Sequence, residues 1–228
     1  VRLRDARIEL AALPRQAGGA ALRILNEAGL IDPDLATAAV FGGVRRLAGV
    51  LDMRGVRRIG LQNVEIALPG GGAEALRVAE ATLESASGGA LALSARIEAA
   101  GRVATLEGEA ALDTASGRVA ALDIRLDAPM PEAGSGEAEA DERPQMGEAS
   151  LALTGAQTGQ GGRLALSARV AGAELPFGRE HAFADIDLAV SAEIGSDKLE
   201  IDRLRVASGR SALNFHGAVG PAPAGAAD

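Results

Sequence analysis

The side chains that carry most enzyme chemistry are nearly missing from this sequence, which has two histidines and no cysteine, tyrosine or tryptophan. A hydrolase or transferase needs a nucleophile, a base and an orienting group at compatible positions, and no Gly-x-Ser-x-Gly turn leads from a strand into a helix. His181 follows Glu180 in a loop-like stretch and His216 follows Phe215 in a strand-like one. Neither has a partner at a spacing that would make it a general base, so both read as structural or solvent-facing. Asp185 and Asp187 alternate with Ile186 and Leu188 as in any one-sided strand, not as in a metal-binding loop. The glycine clusters at 70–72, 88–89 and 161–162 join strand to strand and lack the helix N-terminus of a phosphate cradle, so they read as turns. The expectation is a chain with no catalytic residues, no metal site and no cofactor, and not an enzyme.

Composition narrows the partners. The 228 residues are 47% hydrophobic and carry a formal charge of −8, with aromatic residues at 2%. Such a chain is long and apolar enough to bury a sizeable core. It offers neither the basic clusters nor the stacking rings with which proteins hold nucleic acid, so nucleic acid is excluded as a partner. The lack of cysteine rules out disulfides and thiol chemistry and does not fix the compartment. The longest apolar stretch, Leu35 to Leu51, is interrupted by Arg45 and Arg46 and does not read as a membrane span. A chain that opens at Val1 without a leader reads as a piece of a longer protein, whose anchor or export signal would lie outside these residues.

The elements that must position any site follow from periodicity. Residues 1–57 read as a strand and a helical pair. Val1 to Leu13 alternates with period two but slips frame near Asp5, which predicts a bulge. Leu22, Leu25, Ala28 and Gly29 end a first short helix, and Asp32-Pro33 supplies the N-cap and first residue of a second. In that second helix Leu35, Ala38, Ala39, Val44, Leu47, Val50 and Leu51 form the expected apolar stripe, with Arg45 and Arg46 outward. Residues 58–127 form a first antiparallel set of strands, at 58–68, 75–84, 90–99, 102–112 and 117–127. A second set occupies 148–219, with strands at 149–157, 162–171, 183–194, 198–207 and 211–219, a turn at 159–162 and a Ser-Gly turn at 208–209. Between them, 128–147 is acidic and proline-bearing and reads as a disordered loop. Residues 220–228 read as a linker. The fold class is mainly β: a long antiparallel meander forming an open, curled groove, with two short helices near the N-terminus.

Within these strands every second residue is aliphatic. Leu91, Leu93 and Ile97 share one face, as do Leu122, Ile124 and Leu126, then Leu164, Leu166 and Val170, then Ile186, Leu188 and Val190. The other face alternates small and charged residues, among them Ser94, Arg96, Asp123, Arg125, Asp185 and Asp187, as expected in water. A sheet with one greasy face needs a cover. In a closed β-sandwich, serving as a scaffold or protein-interaction domain without a lipid ligand, the cover is a second sheet; in an open groove it is a ligand.

The run RIGLQNVEIAL at 58–68, the segment 76–83, the paired strands of 90–127 and the closing KLEIDRLRVASGRSALNFHG at 198–217 resemble the AsmA-like envelope proteins, in particular their YhdP-type branch. The pattern K-L-x-I-x-x-L-x-V-x-S-G-x-S-x-L-x-F-x-G at 198–217 is similar to one those proteins repeat: a strand, a Ser-Gly turn and a returning strand. The resemblance implies a twisted sheet curled into a groove that crosses the periplasm of a Gram-negative cell, anchored in the inner membrane by a segment not included here. It also implies phospholipid acyl chains as the partner, carried toward the outer membrane, with the twelve aliphatic residues from Leu91 to Val190 named above as groove candidates. No catalytic residue is carried over by it.

Overall fold

The computed structural model describes residues 1–9, 32–53, 55–67, 76–86, 88–99, 102–129, 147–159, 161–177, 180–196 and 198–220. The strands are β1 (Arg2–Glu9), β2 (Arg58–Ala67), β3 (Leu76–Ser85), β4 (Ala90–Ala99), β5 (Arg102–Asp113) and β6 (Arg118–Ala128). They continue as β7 (Ala149–Thr158), β8 (Gly161–Phe177), β9 (Glu180–Glu193), β10 (Leu199–Ser208) and β11 (Ser211–Val219), and one helix, α1 (Pro33–Met53), lies between β1 and β2. All belong to one 11-stranded sheet in unbroken chain order, with no pairing between its outermost strands. From β2 onward each strand pairs antiparallel with the next. The two-sheet sandwich is therefore corrected: among the described residues there is no second sheet. Each hairpin lays the next strand against the free edge of the last, and nothing crosses over to start a facing sheet.

β1 is the exception, pairing parallel with β2. A parallel pair needs a long crossover, usually helical, and α1 lies in it. The frame slip expected near Asp5 is present: Leu3 pairs Leu61 and Ala6 pairs Val64, with Asp5 between them at φ 49°. Opposite it, Asn63 takes φ 53° and donates from Nδ2 to Asp5 Oδ1 at 2.7 Å. Asp and Asn tolerate the left-handed region because their short polar side chains can bond locally. Four further slips bear on the faces: at Ala79 in β3, at Ala120 in β6, at Gly172 in β8 and between Ile201 and Arg203 in β10. The last is the doubled x of the 198–217 pattern: an extra residue keeps Leu199, Ile201, Leu204 and Val206 on one face. Such bulges add local twist.

Among the described residues there is one helix, where two were expected; the first helical pattern, at 22–29, lies outside the described residues. The N-terminus of α1 is built as its sequence predicts. Asp32 Oδ1 accepts from the Leu35 amide at 3.0 Å, its carbonyl accepts from Ala36 at 2.9 Å, and Pro33 needs no donor. At the other end Val56 N donates to Leu51 O and Gly55 N to Asp52 O, both at 3.0 Å, with Gly55 left-handed. That paired closure releases the chain into β2. The expected stripe is corrected. Leu35 and Leu47 are 41% exposed, whereas Thr37, Phe41 and Leu51 are buried and Val40, Val44 and Ala48 pack on the core. The buried set at 37, 41, 44, 48 and 51 follows the 3.6-residue period more closely than the expected one.

Three boundaries also differ. β8 extends to Phe177 and β9 begins at Glu180, which puts His181 within a strand instead of a loop. Gly161 and Gly162 belong to β8 and not to a turn. Of the expected acidic loop, Ala128 is in β6 and Gly147 is buried against Ala171; 130–146 lies outside the described residues, as does 221–228.

Candidate binding face

The strand register assembles the alternating aliphatic residues into ladders that run across the sheet. One ladder reads Leu3, Leu61, Ala81, Ala95, Leu106, Leu126, Leu151, Ala168, Leu188, Leu204 and Phe215, with one residue from every strand. The ladder beside it runs Ile59, Leu83, Leu93, Gly108, Ile124, Leu153, Leu166, Val190, Ile201 and Gly217. On the far side of the first, Ile97 pairs Ala104, and Ala149, Val170, Ile186, Val206 and Leu213 continue the same level. Every residue singled out from the sequence falls on this one face. Sequence reasoning left out Leu106, Leu151, Leu153, Leu204 and Val206, although the same period-two signal marks them.

The face is covered unevenly. Leu91, Ala110, Leu122 and Leu164 form the next ladder on the turn side and, with Val119 beyond them, are buried in one cluster with Phe41 and Leu51 of α1. Phe41 is fully buried. A Cβ added at Gly155 or at Gly162 would stand 3.2 Å from its ring, so two residues without side chains make its seat. Asp34 Oδ1 accepts from the Gly195 amide at 2.8 Å and ties the start of α1 to the turn after β9. With 21 residues, α1 is about 31 Å long, close to the roughly 29 Å of six strand spacings. It runs from the β9 turn, over β7 and β8 at Phe41, to Val56 and Leu83 beside β3, along the ladders and across the strands. The candidates Leu91, Leu122 and Leu164 are thus occupied by the protein's own helix. Leu93, Ile97, Leu126, Leu166, Val170, Ile186, Leu188 and Val190 are half-buried.

The opposite face is polar, and its charges are arranged in cross-strand pairs: Arg77–Glu98 at 3.3 Å, Arg58–Glu84 at 3.3 Å, and Arg169 and Arg203 on Asp187 at 3.7 and 3.0 Å. Arg125 bonds Asp123 at 3.0 Å, which raises its pKa above the ordinary arginine value. A hollow of about 870 Å³ on this face is lined by Glu80, Glu107, Glu109 and Asp123 together with Arg58, Arg96 and Arg125. Exposed pairs of this kind contribute at most about 1 kcal/mol each; what they do is hold this face in water. Asp185 accepts from the Gly172 amide at 2.9 Å and supports the β8 bulge. Among the described residues no group of three or more His, Asp or Glu is placed to hold a metal ion, and no helix is long and apolar enough to cross a membrane.

No protein-family model, curated protein or solved structure matches this chain.

Proposed function

We propose that this chain is a stretch of a periplasmic β-groove that binds and conducts phospholipid acyl chains between the inner and outer membranes of a Gram-negative cell, anchored in the inner membrane by a segment outside these residues. The observation that carries this reading is the unbroken aliphatic ladder from Leu3 to Phe215, backed by a second from Ile59 to Ile201, on one face of an open sheet. An acyl chain lying along the ladders meets apolar groups, mostly leucine, isoleucine, valine and alanine, and no hydrogen-bonding side chain. Burying a methylene contributes about 0.8 kcal/mol, so five sheltered methylenes contribute about 4 kcal/mol. An aliphatic surface whose one ladder ring, Phe215, stands at the edge strand allows such a chain to slide, because no position between the edges holds it by shape. The experiment is site-specific photocrosslinking from positions 166 and 188 in cells, followed by mass spectrometry of the adducts. Phospholipid adducts are expected at both positions and none from position 169 on the polar face. Crosslinks to protein alone at 166 and 188 overturn the reading.

A second reading, a protein-interaction domain without a lipid ligand, draws on β11. That edge strand is exposed throughout, carries no charged residue, and presents Leu213, Phe215 and Val219 at 64%, 46% and 54% exposure. A delipidated domain that remains fully stable and binds no hydrophobic dye would favour it.

A further inference from the structure

Among the described side chains of the aliphatic face, Arg102 is the one that carries a charge. It opens β5 opposite Ala99, one alternation step beyond Ala104, which pairs Ile97. Position 102 therefore shares its face with Ala104, Leu106, Gly108, Ala110 and Leu112. Described charges elsewhere in the sheet occupy the polar face, where carboxylates and guanidiniums pair across strands; among the described residues no carboxylate lies within ion-pair distance of Arg102. Its Nη2 donates to the Gly147 carbonyl, and its Nε is enclosed without an acceptor. The side chain is only partly covered. An arginine placed at the margin of an aliphatic surface, with a donor unspent and no carboxylate partner among the described residues, departs from the pattern kept by the rest of the face.

We propose that Arg102 is the headgroup anchor of this face: its guanidinium receives a two-oxygen anion, phosphate or carboxylate, attached to an aliphatic chain that lies on the ladders beside Ile97 and Ala104. This rests on the acyl-chain reading above and adds to it a position and a sign of charge for the headgroup. The chemistry is that of a planar fork facing an oxyanion, where two parallel N–H donors give both strength and orientation. The bond from Nη2 to Gly147 holds one edge of the guanidinium, while Nη1, unbonded among the described residues and not enclosed, remains for the ligand together with the second Nη2 hydrogen. The margin position also suits an amphiphile, since the headgroup stays at the rim, where water reaches it, and the chain runs inward along the rows.

Binding of three probes to the purified domain below their aggregation concentrations tests this: dodecyl phosphate, dodecanol and inorganic phosphate, each measured by displacement of a hydrophobic dye and by calorimetry. Dodecyl phosphate should bind at least tenfold more tightly than dodecanol, and inorganic phosphate should bind detectably only at far higher concentration. Arg102→Gln should bring dodecyl phosphate to the level of dodecanol while leaving dodecanol unchanged, and Arg102→Lys should restore part of the preference. Equal binding of the two dodecyl probes to the native protein overturns the anchor and leaves the acyl-chain reading standing. Failure of both to bind overturns the two together. Binding of inorganic phosphate as tight as that of dodecyl phosphate would assign Arg102 to a free anion and overturn the anchor. Should Arg102→Gln fail to fold, the ratio of the dodecyl probes on the native protein and on Arg102→Lys still decides.

Discussion

Two parts of one aliphatic face have the same composition and opposite fates. Leu91, Leu122 and Leu164, on the turn side, lie beneath Phe41 and Leu51 of α1 and are buried to 7%, 4% and 7% exposure. Leu93 and Leu166, one alternation step along the strands of Leu91 and Leu164, and Leu188 on β9 lie outside that cluster and remain half-buried. Their side chains are chemically alike, so the difference comes from what stands over them. A leucine in a ladder becomes core when the chain itself supplies the second layer, and stays partly exposed when it does not.

Substitutions that insert charge test this contrast most directly. Leu122→Glu should cost about 4 kcal/mol or more, because a carboxylate beneath α1 has neither water nor a partner; chemical denaturation is expected to show loss of the cooperative transition or a large fall in its midpoint. Phe41→Ala should follow at about 3 kcal/mol, from lost burial plus the cavity over Gly155 and Gly162. Leu166→Glu and Leu188→Glu should cost only about 1 kcal/mol each, since the new carboxylate keeps access to water, while abolishing lipid crosslinks at those positions. Equal losses of stability for Leu188→Glu and Leu122→Glu would show that the two parts are covered alike and would break the comparison. Asp34→Ala removes the bond to the Gly195 amide and should cost about 1 kcal/mol, with amide exchange at Gly195 rising before that of the strands.

The smallest effect is expected in the turn between β5 and β6. The Asp113 carboxylate accepts from the Ala115 amide at 2.9 Å and from the Ser116 hydroxyl at 2.9 Å, which holds its pKa below the ordinary 3.8. A depressed folded-state value means stability that is present above the unfolded pKa and lost as pH falls through the folded one. The turn should therefore loosen only in strong acid, seen as shifts of the Ala115 and Ser116 amide signals. Asp113→Asn should remove that acid-side response with little change at neutral pH.

Much of the fold is legible in single segments. Period-two runs place β2 to β11 within a few residues, Asp32-Pro33 starts α1, and the slip at Asp5 marks a bulge. Strand ends were harder: β8 and β9 run past Ala171 and begin before Phe183 because two long strands pair beyond the point where hydrophobic alternation fades, through Leu175 opposite Ala182. The bulge at Asn63 was missed because the slip it causes, from Leu61 to Val64, is visible only when the face is followed across it.

The sequence by itself determined which residues can share a face, because alternation along a strand is fixed by backbone geometry and needs no neighbour. The tertiary structure decided which of those residues are covered. That depended on a parallel crossover laying α1 along the turn-side ladder and on a ring finding two glycines on β7 and β8. These are relations between residues far apart in the chain, set by packing and strand register, and no local period in the sequence encodes them.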